Sequence, residues 1–194
     1  MVELSVPLAS AKAGATPLDL DEIAGLRLKG IATQGQLNAA EQANIIEAER
    51  WAFARSRDAL DVATLQAVHR RMFGRVWSWA GEFRRRDKNI GIDWREIAVA
   101  MRQLVDDAIY WVNHRTYPAD ELAARFHHRL VAIHPFSNGN GRHARLAADI
   151  LAIKLQQPRF TWGSGAPEAR DRYLAALRAA DAHDLAPLLA FVRS

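Results

Sequence analysis

Between His134 and Arg145 the chain runs His-Pro-Phe-Ser-Asn-Gly-Asn-Gly-Arg-His-Ala-Arg, which places a titratable base, a glycine turn and two arginines within one short segment. A neutral imidazole, with an ordinary pKa of about 6.5, can accept a proton near pH 7. Gly139 and Gly141 admit backbone dihedrals closed to other residues and let a ligand approach the main chain. The first turn of the helix that follows carries N–H groups without intrahelical partners and the positive end of the helix dipole, a ready site for an anion. Arg142 and Arg145 lie on one face of that turn, where a cation is unfavourable by about 0.3–1 kcal/mol unless an anion sits nearby. A polyphosphate has the charge and the oxygens to engage several N–H groups and two guanidinium forks together. The chemistry suggested is transfer of a phosphate-linked group to a hydroxyl whose proton His134 removes. A plainer account also fits: a histidine at a helix end can simply cap carbonyls, and arginine is common in a chain whose only lysines are Lys12, Lys29, Lys88 and Lys154.

The elements that must position these groups read as helices. Leu122, Phe126, Leu130 and Ile133 recur at helical spacing, Pro118 sits near the start of that helix, and Pro135 disfavours the α region for His134, so the helix should end there. Beyond the loop, Leu146, Ala147, Ile150, Leu151 and Ile153 spread apolar groups around much of one helix, which should therefore be central and buried. A rigidly packed helix would fix the N–H groups that face an anion. Upstream, helices are expected over residues 36–57 and 61–73, the second with Leu65, Val68 and Met72 on one face. Asp93 and Glu96 suggest a capping box before a helix whose apolar face is Ile97, Met101, Leu104, Ala108 and Trp111. A Gly/Pro-rich break at 163–167 leads to helices near 168–180 and 184–192.

The remaining segments are of other kinds. Pro7, Gly14, Pro17, Gly25, Gly30 and Gly35 make residues 1–35 an arm laid over the core, with one short helical turn around Asp19 to Leu26. Asn89-Ile90-Gly91-Ile92 interrupts the helical pattern with turn and β-prone residues, so a short hairpin is expected within 83–92. Trp77 and Trp79 read as core or as a shelf beneath the site. His127 and His128 are adjacent and face different directions, which suits packing or surface roles rather than a shared metal. The fold class is all-α with one short β-hairpin.

Composition narrows the functional classes. No cysteine is present, so disulfides, thiolate nucleophiles and Cys-based zinc sites are excluded. The start lacks a basic region followed by an apolar one, and no apolar run approaches a membrane span, so a cytoplasmic, unexported protein is expected. The net charge of +4 is modest, and Arg84-Arg85-Arg86-Asp87-Lys88 is the only dense basic run, so nucleic acid is not the expected partner.

The His134–Arg145 segment resembles the Fic (Fido) signature H-x-F-x-[DE]-G-N-G-R-x-x-R, matching at His134, Phe136, Gly139, Asn140, Gly141, Arg142 and Arg145. Asp61 to Arg71, Trp79 to Arg84 and Tyr173 to Phe191 resemble flanking family segments, so the likeness covers residues 36–194, which would form the Fic domain after the 1–35 arm. The whole chain most resembles the subgroup called mobile mystery protein B. The resemblance implies a Fic-type helical bundle that moves AMP from ATP onto a Ser, Thr or Tyr hydroxyl of a target protein. It implies that His134 is the general base and that Gly139, Asn140 and Gly141 cradle the α and β phosphates. Arg142 and Arg145 would neutralise phosphate charge, Arg145 nearer the γ phosphate, with Phe136 an apolar anchor beneath the loop. Lys88, Asn89, Ile90, Gly91 and Ile92 would be a hairpin flap that pairs its backbone with the target's modified segment; without the resemblance, the same residues read as a surface loop with a basic face.

One position departs from the pattern. Asn138 stands where the family has Asp or Glu to hold Mg²⁺, and it offers a carbonyl oxygen without charge. Weakened metal binding is expected, with the triphosphate oxygens still able to hold the ion. A nucleotide-binding regulatory module with weak turnover, and a Fic-type transferase of phosphoryl or another phosphate ester, therefore stand beside adenylylation. The family's inhibitory motif [ST]-x-x-x-E-[GN] has no good match: Phe83 and Ala169 follow the two candidate spacings at Glu82 and Glu168, while Glu41 has Leu37 four residues before it and Gln42 after. A separate inhibitory, antitoxin-like protein is the expected source of restraint, unless the Asn138 change makes restraint less necessary.

Overall fold

The computed structural model describes residues 18–31, 33–55, 57–164, 166 and 168–194. Among them the chain forms eight α-helices: α1 Leu20–Ile23, α2 Gln34–Ala54, α3 Val62–Phe73, α4 Ile97–His114, α5 Ala119–Ile133, α6 Asn140–Lys154, α7 Ala169–Asp181 and α8 Ala186–Val192. The all-α expectation holds, and α1 occupies the expected helical turn. At α2 and α3 the starts follow from side chains that satisfy first-turn N–H groups. Thr33 and Gln36 form a capping box at α2, and Asp61 accepts from Thr64 N–H at 2.8 Å at α3. At Asp93 the expected box does not form. Its carboxylate accepts from Arg95 N–H at 2.9 Å and binds the Arg95 guanidinium, so a single 3₁₀ turn, Trp94–Glu96, precedes α4.

Helix α6 is the hub, packed against α2, α3 and α5, while α7 and α8 pair with each other and α8 also touches α5. Ala144, Ala147, Ala148, Leu151 and Ala152 on α6 are fully buried, as are Leu65, Met72 and Phe73 on α3 and Leu122, Phe126 and Leu130 on α5. Alanines along α6 let its neighbours approach closely, and burial on most sides follows from their spacing. Ile153 is the exception, half-exposed near the helix end. No helix among the described residues is long and apolar enough to cross a membrane.

The hairpin expected within 83–92 is absent: among the described residues the one β-bridge joins Leu26 to Trp77, and 83–92 runs through bends. Side chains, rather than a ladder of backbone pairs, hold this segment. The Arg84 guanidinium donates to the carbonyls of Arg86, at 2.8 Å, and Ile92, and Asp87 accepts from Trp94 N–H at 3.0 Å. The described part of the arm lies along the same region: Arg27 N–H donates to Val76 O and Ser78 N–H to Gly25 O, each at 2.8 Å, and Trp79 Nε1 donates to Glu22 O at 3.0 Å. Pro7, Gly14 and Pro17 of the arm fall outside the described residues. The basic run is neutralised at home, with Arg84 buried, Arg86 paired to Asp21 at 2.6 Å and Lys88 paired to Asp19 and Glu22.

Asp149 ties the 158–163 loop to α6, its Oδ1 accepting from Phe160 N–H at 3.1 Å and Trp162 Nε1 at 3.0 Å. Burial pushes its carboxyl up to about 6. A folded-state pKa above the unfolded value means that folding loses stability as pH rises from about 4 through 6, because the folded chain then holds a buried charge. Asp149→Asn keeps the Oδ1 acceptor without that charge. It should gain about 2–3 kcal/mol relative to the native chain between pH 4 and pH 7 in urea unfolding, and a pH-independent difference would refute this account.

Candidate active site

His134 ends α5 in the left-handed region, with φ 55° and ψ 59°. Pro135 excludes the ordinary helical conformation, and a non-glycine residue there costs about 1–2 kcal/mol, so the surroundings must hold it. They do so through Arg84. Its Nε donates to His134 O at 2.8 Å, and its backbone N–H donates to Pro135 O at 2.9 Å. Gly91 closes the opposite side with φ 99°, where a Cβ would lie 2.6 Å from the His134 Cβ. Burial and the Arg84 charge beside it lower the His134 imidazole to about 4, against a hydrogen bond to the Val131 carbonyl that acts the other way. The ring is therefore neutral at pH 7, and a neutral imidazole that donates one N–H keeps its other nitrogen as a base.

The loop after His134 is braced from within. Asn140 Oδ1 accepts from Phe136 N–H at 2.9 Å and its Nδ2 donates to Phe136 O at 2.7 Å, so this buried side chain closes the loop and leaves its backbone N–H for any anion. Phe136 is fully buried and stacks on His69 at 3.7 Å. Gly81 N–H donates to His69 Nδ1 at 2.9 Å, which puts the proton on Nε2, and Nε2 donates to Asn138 O at 3.0 Å. Burial lowers the His69 pKa well below its usual value, which keeps the ring neutral for both roles. Gly139, with φ 79°, caps α6, and a Cβ there would lie 2.6 Å from the Phe73 ring. No side chain caps α6, so the first-turn N–H groups of Asn140, Gly141 and Arg142 are left without a capping partner.

The two arginines differ. Arg142 pairs with Glu41 at 2.7 Å and lies over the Phe73 ring at 4.8 Å; Glu41, only 5% exposed, also accepts from Trp77 Nε1 at 2.7 Å. Glu41 thus restrains the first arginine of the segment, although its flanking residues do not form the inhibitory motif. Arg145 is half-buried above Tyr173, with its Nε donating to Gly141 O at 3.3 Å, and it has no carboxylate partner among the described residues. Tyr173 meets the buried His127 at 3.1 Å, a packing role for that histidine, while His128 pairs with Asp181 at 2.7 Å.

The loop residues do not fit a protein-held magnesium ion. Asn138 Oδ1 accepts from Gly139 N–H at 2.6 Å, the loop has no carboxylate, and no group of three His, Asp or Glu suited to a metal occurs among the described residues. Of the flap candidates, Asn89, Ile90 and Gly91 are exposed and Gly91 adjoins His134, with Ile92 partly covered. Lys88 is different: its side chain is 4% exposed and engaged with Asp19 and Glu22, so it anchors the segment to the arm rather than facing outward. Sequence reasoning missed Arg84, His69 and Glu41 as positioning groups. Only their pairing partners reveal them, and these lie 50, 69 and 101 residues away.

A helical bundle with a buried histidine, a braced glycine loop and an open helix start defines the Fic fold. The structure superposes on the BepC protein of Bartonella tribocorum, solved with bound AMPPNP, with a TM-score of 0.71 at 18% identity over 90% of this chain and 97% of that one. A Fic domain from Bartonella quintana with bound ADP gives a TM-score of 0.69 at 18% identity, over 85% and 86% of the two chains. Protein adenylyltransferase fic-1 of Caenorhabditis elegans is 28% identical over 143 residues, which are 72% of this chain and 28% of that protein. Protein adenylyltransferase Fic of Drosophila willistoni is 30% identical over 142 residues, 69% of this chain and 27% of its own length, so the chain spans little more than a quarter of these relatives. Residues 59–152, which carry the base, the loop and both arginines, match the Fic/DOC family.

His69→Phe keeps the stacking on Phe136 but strips partners from Gly81 N–H and Asn138 O. The expected cost is about 2–4 kcal/mol in urea unfolding, and a change within about 0.5 kcal/mol would mean that the histidine does not brace the loop.

Proposed function

We propose that this protein transfers AMP from ATP to a Ser, Thr or Tyr hydroxyl of a target protein. The observation that carries the reading is Arg145, a half-buried guanidinium without a carboxylate partner among the described residues, set one turn into a helix whose first N–H groups are open. Such a charge is unfavourable there until an anion arrives. The triphosphate lies over Gly139, Asn140 and Gly141, with Arg142 and Arg145 on its charged oxygens. His134 takes the proton of the target hydroxyl as its oxygen attacks the α-phosphorus. The new O–P bond forms as the bond to pyrophosphate breaks, and the pyrophosphate leaves with its charge on the arginines. The similarity to protein adenylyltransferases and the nucleotides bound in the Bartonella structures support this reading. ATP brings Mg²⁺ as its own counter-ion, and no step above passes through it.

The target segment, in this reading, lies along Asn89, Ile90 and Gly91, whose backbone groups are not committed to a hairpin. A second reading, a nucleotide-binding regulatory module, is favoured by the Glu41–Arg142 pair together with Asn138. Phosphoryl transfer is the third. In either case a separate antitoxin-like partner would act on top of the internal restraint. The subgroup we propose is mobile mystery protein B, on the resemblance of the sequence alone.

Lysate incubated with purified protein and ATP labelled at either the α or the γ phosphate separates these readings. Label from the α position alone, lost with His134→Ala, is expected. Label from γ alone would mean phosphoryl transfer, and ATP binding without labelling would favour the module. The acid limb of kcat/KM should fall near pH 4, since His134 titrates at about 4; a limb near 6.5 would remove it as the buried base. Glu41→Gln keeps the Trp77 hydrogen bond and releases Arg142, so ATP should bind about fivefold more tightly by calorimetry, and unchanged affinity would show that Glu41 does not compete with phosphate.

A further inference from the structure

A cavity of about 450 Å³ opens between α2, α3 and the turn that follows α3, and none of its lining residues belongs to the 134–145 segment. Its volume is that of a small-molecule site. Arg27, Arg70, Arg71 and Arg75 converge on it against the carboxylates of Glu47 and Glu82. Arg75 is neutralised by Glu47 at 2.7 Å, and Arg71 rests over Trp51 at 5.0 Å. Arg27 and Arg70 have no ion pair among the described residues. The negative end of α3 explains arginines at 70 and 71, but it does not account for Arg27, which the arm brings from the other side.

Asn44 supplies the independent observation. It is 4% exposed, it lines the same cavity, and its carboxamide has no hydrogen-bond partner among the described residues. An amide open toward this arginine-lined cavity offers both a donor and an acceptor to an incoming ligand. Guanidinium forks match phosphate oxygens, whereas an extended nucleic acid would need a continuous basic surface rather than a pocket. We propose that this cavity is a second anion site, which takes a small phosphate compound bearing at least two negative charges.

Inorganic tripolyphosphate titrated calorimetrically at about 0.15 M salt, where loose surface attraction is screened, tests this. Arg142→Ala with Arg145→Ala disables the loop, and one equivalent should still bind. Adding Arg27→Ala and Arg70→Ala should weaken that binding about tenfold or more, whereas Arg178→Ala, an exposed arginine elsewhere, should change nothing. No binding to the loop-disabled chain, equal affinity with and without Arg27 and Arg70, or an equal loss on Arg178→Ala would each overturn the proposal. Should the loop variant fail to fold, as judged by thermal unfolding, the native chain decides: Arg27→Ala with Arg70→Ala should remove one equivalent, and unchanged stoichiometry and affinity would refute the second site. Failure of the loop to bind anions would appear separately, as a single equivalent in the native chain that those two substitutions abolish.

Discussion

The buried Arg84 guanidinium is the constraint on which the site rests. Its donors are shared among the carbonyls of His134, Arg86 and Ile92. One side chain thereby fixes a left-handed histidine and the path of the segment beside it, and its charge adds to burial in keeping the imidazole neutral. A cation buried among carbonyl oxygens is tolerable because each of its three nitrogens finds an acceptor, and its removal would leave those carbonyls unpaired in a dry setting. The geometry of the base is thus held by one residue, which also strengthens the effect of burial on its charge state.

The loop has its own economy of parts. Asn140 closes it, Phe136 and His69 floor it, and Gly139 lets it pass over Phe73 where any side chain would collide. None of these groups is a plausible reactant, yet each fixes the direction of the N–H groups at the start of α6. Packing carries this outward: α6 is buried along most of its length, so the orientation of its first turn is set by the core of the whole bundle.

Much of this was legible in the sequence, and what was not has a common cause. Helical spacing around Leu122 to Ile133, the Pro135 stop and the apolar girth of α6 gave both helices of the site, because those signals lie within a few residues of one another. The hairpin failed because turn and β-prone residues at 89–92 cannot announce that a distant arginine will occupy the carbonyls a ladder would need. Glu41 failed in the same way. Its local surroundings carry no motif, and its meaning depends on α2 crossing α6 at Arg142. The pairing of the basic run at 84–88 was equally hidden, since its acidic partners Asp19, Asp21 and Glu22 sit in the arm.

Asn140 has a consequence of another kind. Because its side chain holds the loop through Phe136 before any ligand is present, the frame of the site and its charge are carried by different residues. A binding site framed in advance spends little of its affinity on ordering itself. The neighbouring position 138 and the two arginines can then vary in sequence as charges on a fixed mould, so that a lineage could exchange one phosphate chemistry for another while inheriting the same shape.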